Sequence, residues 1–134
     1  MIKCSRCLIF FLSLCIFHSV LANEKTYRCE VLSDAYIKAN GELAIVQDSP
    51  RVGQEFAVVK RTGEAIGDVM DSLKNPKVIT SGGKGNSYKV IWVQKSAGKN
   101  GAFVDYLNIE GFEKDGKYAF GFFSGSLLMT GICE

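Results

Sequence analysis

The chain beyond position 25 alternates between apolar and polar residues, which is the pattern of β-strands with two different faces. Short runs of strand-forming residues recur at regular intervals, and turn residues separate them. The first run is interrupted at Ser33 and Asp34, and we expect it to resume after a β-bulge. The predicted strands cover residues 26–32 with 35–38, 42–47, 55–61, 64–66, 77–81, 87–95, 102–112 and a final pair within 117–134.

Tight turns are expected between these runs. An Asn-Gly or Asp-Gly pair occupies positions 40–41, 100–101 and 115–116, and such pairs favour hairpin turns because both central residues need positive φ. The glycine-rich residues 82–85 are expected to form a further hairpin connection. The predicted fold class is therefore all-β: an antiparallel meander of about eight strands that forms a closed or nearly closed barrel, with a β-sandwich as the alternative.

One segment, residues 68–73, has a helical pattern instead. Asp68 could cap a short helix, Val69, Met70 and Leu73 would share one face, and Pro76 would stop the chain just beyond it. The sequence therefore predicts one short helix in an otherwise β-rich domain.

The most apolar stretch outside the N-terminus is residues 118–134, where Gly121, Gly125 and Gly131 are expected to mark bends. Residues 88–93 are apolar on both faces, which is typical of a central strand. The single tryptophan, Trp92, is expected in the core of this sheet.

The first 22 residues have the composition of a secretory signal peptide. Lys3 and Arg6 precede an apolar core at 8–17, and the predicted cut lies between Ala22 and Asn23. The alternative, an uncleaved anchor, is disfavoured because the apolar core is shorter than the ~20 residues that a membrane span needs. We therefore expect a periplasmic or secreted protein, with no membrane span after cleavage and a single β-rich domain at 23–134.

Removal of the signal changes the composition that matters for chemistry. Three of the five cysteines and the only histidine leave with it, and the remaining 14 positive and 14 negative residues balance. Cys29 and Cys133 remain, and two cysteines in an exported chain predict one structural disulfide.

The absence of histidine after position 22 excludes catalytic triads, Cys–His pairs and imidazole metal ligands. Carboxylates are the remaining catalytic candidates, as in a glycoside hydrolase with two inward acids. Asp105, Glu110 and Glu113 are available, but surface or turn roles are expected for them. The sequence therefore predicts a protein that is not an enzyme and that uses no cofactor and no metal.

Residues 72–104 contain six lysines and no acid, whereas the segments on either side are acidic. Lys84, Lys89, Lys95 and Lys99 could form a patch for an anionic partner, whose binding would weaken as salt is added. The alternative is that these lysines only protect strand edges from pairing with other sheets. Nucleic acid is not expected as a partner, because the mature chain is neutral and has no basic-aromatic stripe.

The run FAVVKRTGEAIG at 56–67, together with Cys29 and the terminal Gly131-Ile132-Cys133, resembles a group of small exported proteins of Gram-negative bacteria. The resemblance implies no particular activity, so it assigns no functional residue. Periplasmic lysozyme inhibitors are similar in size, export, disulfide use and expected barrel shape, which is a likeness of architecture only.

These observations lead to two alternative functions. The first is an exported, non-catalytic binding module of the bacterial envelope that contacts a protein or an anionic envelope component. The second is a carrier that holds a small apolar ligand in the barrel interior, which would require that the interior is not filled by the protein's own side chains.

Overall fold

The computed structural model of the chain describes residues 25–95 and 100–134. The predicted signal peptide at 1–22 and the lysine at position 99 lie outside the described residues. Within the described ranges the fold is all-β, with nine strands and one short 3₁₀ helix. The strands are β1 (Thr26–Ile37), β2 (Leu43–Ile45), β3 (Glu55–Val59), β4 (Ala65–Ile66), β5 (Pro76–Gly83), β6 (Asn86–Lys95), β7 (Ala102–Ile109), β8 (Tyr118–Ser124) and β9 (Leu127–Cys133).

All nine strands belong to one antiparallel sheet that curls into a half-barrel. Strands β5 to β9 form a meander in which each strand pairs with the next. The last strand, β9, then pairs with the first, β1, and β3 and β4 continue the sheet beyond β1. The short β2 lies along the same edge of β1 as β3. The predicted all-β meander is confirmed, and the single sheet favours the barrel over the sandwich.

The concave face of the sheet holds the hydrophobic core. Val90, Leu107, Phe122 and Met129 lie directly opposite one another on β6 to β9, and each is at most 3% exposed. Trp92 is 1% exposed and meets the Phe122 ring edge-on, with the ring centroids 6.3 Å apart. The prediction that Trp92 lies in the core is confirmed.

Side chains of β6 contact β1 and β3 across the concave side of the curled sheet. Tyr88 on β6 donates a long hydrogen bond of 3.4 Å to the carbonyl oxygen of Val59 at the end of β3. The ring of Tyr27 on β1 lies 5.3 Å from that of Tyr88, centroid to centroid. Burial, followed by the neighbouring Tyr27, raises the pKa of the Tyr88 phenol to about 12 from its ordinary value of 10.0.

This shift predicts how stability depends on alkaline pH. Because the folded-state pKa of Tyr88 lies above the unfolded value, its contribution is complete below pH 10 and is lost as the pH rises towards 12. We expect the thermal midpoint to fall across that interval, and Tyr88→Phe to flatten the fall. Burial raises the pKa of Tyr27 as well, so part of the fall will remain. Circular dichroism melts of both proteins between pH 8 and pH 12 measure the two slopes, and equal slopes would contradict the expectation.

The predicted helix at 68–73 is shorter than expected. A 3₁₀ helix covers only Asp68–Met70, and no side chain caps its first residue, so the capping role predicted for Asp68 is wrong. The segment begins at Gly67, which lies against the backbone of β3, and it ends where β5 begins at Pro76. Short 3₁₀ pieces of this kind are common in connections between strands. The predicted apolar face is nevertheless present, because Met70 is 1% exposed and Val69 and Leu73 pack against the core.

The predicted β-bulge is confirmed in β1. The pairing of β1 with β9 shifts register between Val31 and Ser33. Gly131 of β9 lies opposite Val31, where a Cβ atom would collide with the carbonyl oxygen of Glu30. The two backbones can therefore approach closely at the bulge only because position 131 has no side chain.

Candidate functional site on the outer face of the sheet

The predicted disulfide is present between Cys29 on β1 and Cys133 on β9. The two residues are directly opposite in the sheet, and they are 2% and 1% exposed. Cys29 lies opposite Phe56 on β3, and Cys133 lies opposite Tyr118 on β8, so both aromatic neighbours face inward. The bond is thus buried at the junction of the first and last strands, which is the position of a structural cross-link.

The predicted lysine patch is spread along a hairpin. Lys84 lies in the turn between β5 and β6, whereas Lys89 and Lys95 lie on β6 itself. Because strands rise about 3.3 Å per residue, Lys84 and Lys95 are roughly 30 Å apart along the hairpin. Lys77 on β5 pairs with Ile91 and so shares the outer face with Lys89. The lysines form a stripe at the side of the sheet, and their role in binding an anionic partner stays a prediction.

The convex outer face of the sheet carries an apolar row that the sequence reasoning did not identify. Each residue of the row lies directly opposite the next, so all of them share one face of the sheet. At a strand spacing of about 4.8 Å, the row extends about 24 Å across six strands. We call it, together with Val93 and Val104 from the adjacent row, the outer band. The row contains Ile91, Tyr106, Phe123, Leu128, Ala35 and Ile45.

The outer band is open to solvent over β6 to β8 and at Ile45, whereas Ala35 is only 3% exposed. Ile45 is 56% exposed, Val104 52%, Phe123 44% and Val93 36%. The rings of Tyr106 and Phe123 stack side by side, with centroids 6.3 Å apart and planes 23° apart. Exposed apolar patches such as the one over β6 to β8 often mark interaction sites in soluble proteins.

A signal for the outer band was present in the sequence but was interpreted differently. Apolar residues on both faces of 88–93 predict a central position in the sheet. In the structure β6 is second from the edge of the sheet, next to β5, and Val93 on its outer face is exposed. The second apolar face is therefore a surface and not part of a second core layer.

A groove of about 510 Å³ lies beside the outer band, over β6 to β8. Lys89, Asn108 and Gly121 are directly opposite one another in the next row of the outer face. Asn108 donates a hydrogen bond of 2.7 Å to the Glu110 carboxylate. The stacked rings of Tyr106 and Phe123 form one wall of this groove. The lining residues are Ser87, Lys89, Tyr106, Asn108, Glu110, Ala119, Phe120, Gly121 and Phe123.

The candidate catalytic carboxylates do not share a cleft. Asp105 is 8% exposed and lies opposite Trp92 on the inner side of the sheet, so the surface or turn role expected for it is wrong. Its strand position, two residues before the buried Leu107, explains the burial. Glu110 lies on the outer face, and Glu113 accepts a hydrogen bond of 3.2 Å from the Tyr118 hydroxyl.

A second buried carboxylate, Asp34, was missed. It is fully buried and accepts hydrogen bonds from the Ser49 hydroxyl and, at 2.9 Å, from the Arg51 guanidinium. Among the described residues its Oδ1 atom has no hydrogen-bond partner. These contacts hold the loop between β2 and β3 against β1, where Gly53 also donates its backbone N–H to the Val31 carbonyl. The only sequence signal was the polar interruption of the first strand.

The inward-facing rows of the sheet are occupied by the protein's own side chains, including Trp92 and Met129. The apolar-carrier alternative therefore gains no support from the described interior and stays a prediction. In the described part of the chain, no three His, Cys, Asp or Glu side chains come together as a group that could hold a metal ion. Across residues 25–95 and 100–134, no helix has the length and apolar character needed to cross a membrane.

No family model, curated protein or solved structure that was compared with the chain matches it.

Proposed function

We propose that the protein is an exported, non-catalytic binding module of the bacterial envelope. It contacts a protein or an anionic envelope component with the outer band and the lysines beside it. The observation that carries this proposal is that Val93, Val104 and Phe123 are exposed in adjacent rows on the outer face of β6 to β8.

The energetics of the outer band support a binding role. Apolar surface that is removed from water contributes roughly 25 cal/mol per Å², so a partner that covers several of these side chains gains stability without any change in the fold. No acidic residue belongs to the band, and Lys77 and Lys89 lie on the same face at its β5–β6 side. A partner with an apolar area bordered by negative charge fits this arrangement, and salt should weaken its binding.

The extracytoplasmic location has its own support. A buried disulfide between Cys29 and Cys133 persists in oxidising compartments such as the periplasm. The proposed location also agrees with the signal peptide predicted at 1–22.

The experiment is retention of envelope components on the immobilised, oxidised protein. Val104→Asp places a charge in the outer band, whereas Val52→Asp makes the same change at a comparably exposed position in the loop between β2 and β3. We expect the wild type and Val52→Asp to retain the same component, and Val104→Asp to lose at least nine-tenths of it. Retention that is equal in all three proteins, or no specific retention by the wild type, would refute the proposal.

A further inference from the structure

Gly121 is a glycine that the fold itself does not require. Its backbone is not in the positive-φ region, and a Cβ atom at this position would meet only the Cε2 atom of Phe123, at an ordinary contact distance of 3.6 Å. A glycine inside a strand weakens the strand, and it often marks a place where a ligand approaches the backbone closely. Gly121 lies in the middle of β8, a strand that is paired on both sides.

The missing side chain shapes the groove beside the outer band. Gly121 forms part of its floor, and the Phe123 ring reaches back along the strand to the space above Gly121. The stacked Tyr106 ring extends this apolar wall to β7. An exposed aromatic wall beside a floor of bare backbone is complementary to a flat ligand that has one apolar face.

Hydrogen-bonding groups lie on β7, next to Gly121. Asn108 and Glu110 are joined by a 2.7 Å hydrogen bond, which fixes both planar groups next to each other. The amide and the carboxylate keep free donor and acceptor capacity for neighbouring hydroxyl groups. Lys89, directly opposite Asn108 on β6, adds one positive charge beside this pair.

We propose that this groove is a saccharide-binding subsite. One pyranose ring lies across Gly121 with its C–H face against Phe123 and Tyr106. Its hydroxyls contact Asn108 and Glu110, and a carboxylate on the sugar pairs with Lys89. This inference rests on the proposed binding function and names the ligand class as a glycan that carries acidic groups.

The combination of groups favours a sugar over a simple anion or a purely apolar ligand. A simple anion would contact Lys89 but would gain nothing from the aromatic wall or from the Asn108 and Glu110 pair. An apolar ligand would displace the water that hydrogen-bonds to Asn108 and Glu110 and would offer no hydrogen bond in return, which costs binding free energy. A sugar ring can place its apolar face on the aromatic side chains and, at the same time, hydrogen-bond to Asn108 and Glu110 through its hydroxyl groups.

The test is isothermal titration calorimetry of the oxidised protein with three probes. Hexagalacturonate is an acidic oligosaccharide, maltohexaose is a neutral one, and poly-L-glutamate is a polyanion without sugar. We expect the wild type to bind hexagalacturonate, with a Kd that rises with salt, and to bind maltohexaose at least tenfold more weakly.

Two variants locate the binding. Gly121→Thr fills the floor of the groove with a residue that suits strands, and we expect it to weaken hexagalacturonate binding at least tenfold. Ala102→Thr makes a similar change at an exposed strand position outside the groove, and it should bind as the wild type does. Thermal melts of both variants test whether they are folded. Asn108→Ala, which removes an outer-face amide only, gives a second measure if Gly121→Thr is unfolded.

The outcomes separate this inference from the proposed function. Unchanged hexagalacturonate binding by Gly121→Thr and Asn108→Ala would overturn the subsite. Equal affinity for hexagalacturonate and poly-L-glutamate, insensitive to Gly121→Thr, would mean that the lysines bind charge alone, which also overturns the subsite but leaves the proposed function standing. No binding of any oligosaccharide would overturn the subsite, and the proposed function would then depend on the envelope retention experiment.

Discussion

Removal of the disulfide is expected to lower the free energy of unfolding by about 2–5 kcal/mol. The bond between Cys29 and Cys133 closes a loop with a sequence separation of 104 residues. In the chain-entropy account, a cross-link over a loop of this length restricts the unfolded chain by about 4–5 kcal/mol. Because a domain of this size is stable by about 5–15 kcal/mol, this loss would be a large share of the total stability.

Urea denaturation of the wild type and of Cys29→Ala/Cys133→Ala measures this effect, with the oxidised wild type treated with reductant as a second comparison. Both the variant and the reduced wild type should unfold at a much lower urea concentration than the oxidised protein. A midpoint shift equivalent to less than 1 kcal/mol would contradict the expectation. That outcome would mean that β1 and β9 stay associated in the unfolded state, so that the bond restricts it little. Alternatively, the folded sheet would be equally stable without the bond.

The disulfide could be predicted from the sequence because the alternatives were few. Beyond position 22 the sequence contains only Cys29 and Cys133, so only one intramolecular pairing exists there. The strands could be predicted for a related reason, since alternation and turn pairs are local signals. The pairing of β1 with β9, and of both β2 and β3 with one edge of β1, depends on contacts between distant segments. No local pattern contains that information.

Asp34 shows why some inward-facing residues could not be identified. Val31 and Asp34 are three positions apart, so a regular strand would place them on opposite faces of the sheet. Both are nevertheless fully buried. The bulge between Val31 and Ser33 supplies the extra residue that turns Asp34 inward. The sequence indicated that a bulge was present but not at which residue the faces exchange.

The candidate site was hidden by a different ambiguity. Alternation predicts that Val90 and Ile91 face opposite sides of the sheet, but it does not tell whether a second layer covers either side. The lysines are close in sequence and therefore predict a patch, yet the whole length of β6 lies between Lys84 and Lys95. The outer band depends on the pairing of β6, β7 and β8, which places Ile91, Tyr106 and Phe123 side by side.

The largest effect of a single substitution is expected at Gly131. In Gly131→Ala the new Cβ atom would collide with the carbonyl oxygen of Glu30 and would lie 2.7 Å from the Phe120 ring. The Glu30 oxygen belongs to the backbone of β1, so the clash cannot be relieved by a side-chain rotation. Overpacking of a rigid site costs about 1–3 kcal/mol and sometimes more, and here it also displaces the strand pair that carries the disulfide. We expect a loss at or above 3 kcal/mol in the free energy of unfolding, measured by urea denaturation of the oxidised protein.

Gly121→Ala is the matched control, because it adds the same methyl group to the neighbouring strand β8. Its Cβ atom would make only an ordinary contact of 3.6 Å with Phe123, and its backbone needs no positive φ. Since alanine restricts the unfolded chain more than glycine does, this variant should be unchanged or more stable by about 0.5–1 kcal/mol. Equal destabilisation by the two substitutions would show that the close approach of β1 and β9 at the bulge is not what requires glycine at 131. Destabilisation by Gly121→Ala alone would assign position 121 a role in the fold, and would remove the argument that its missing side chain serves a ligand.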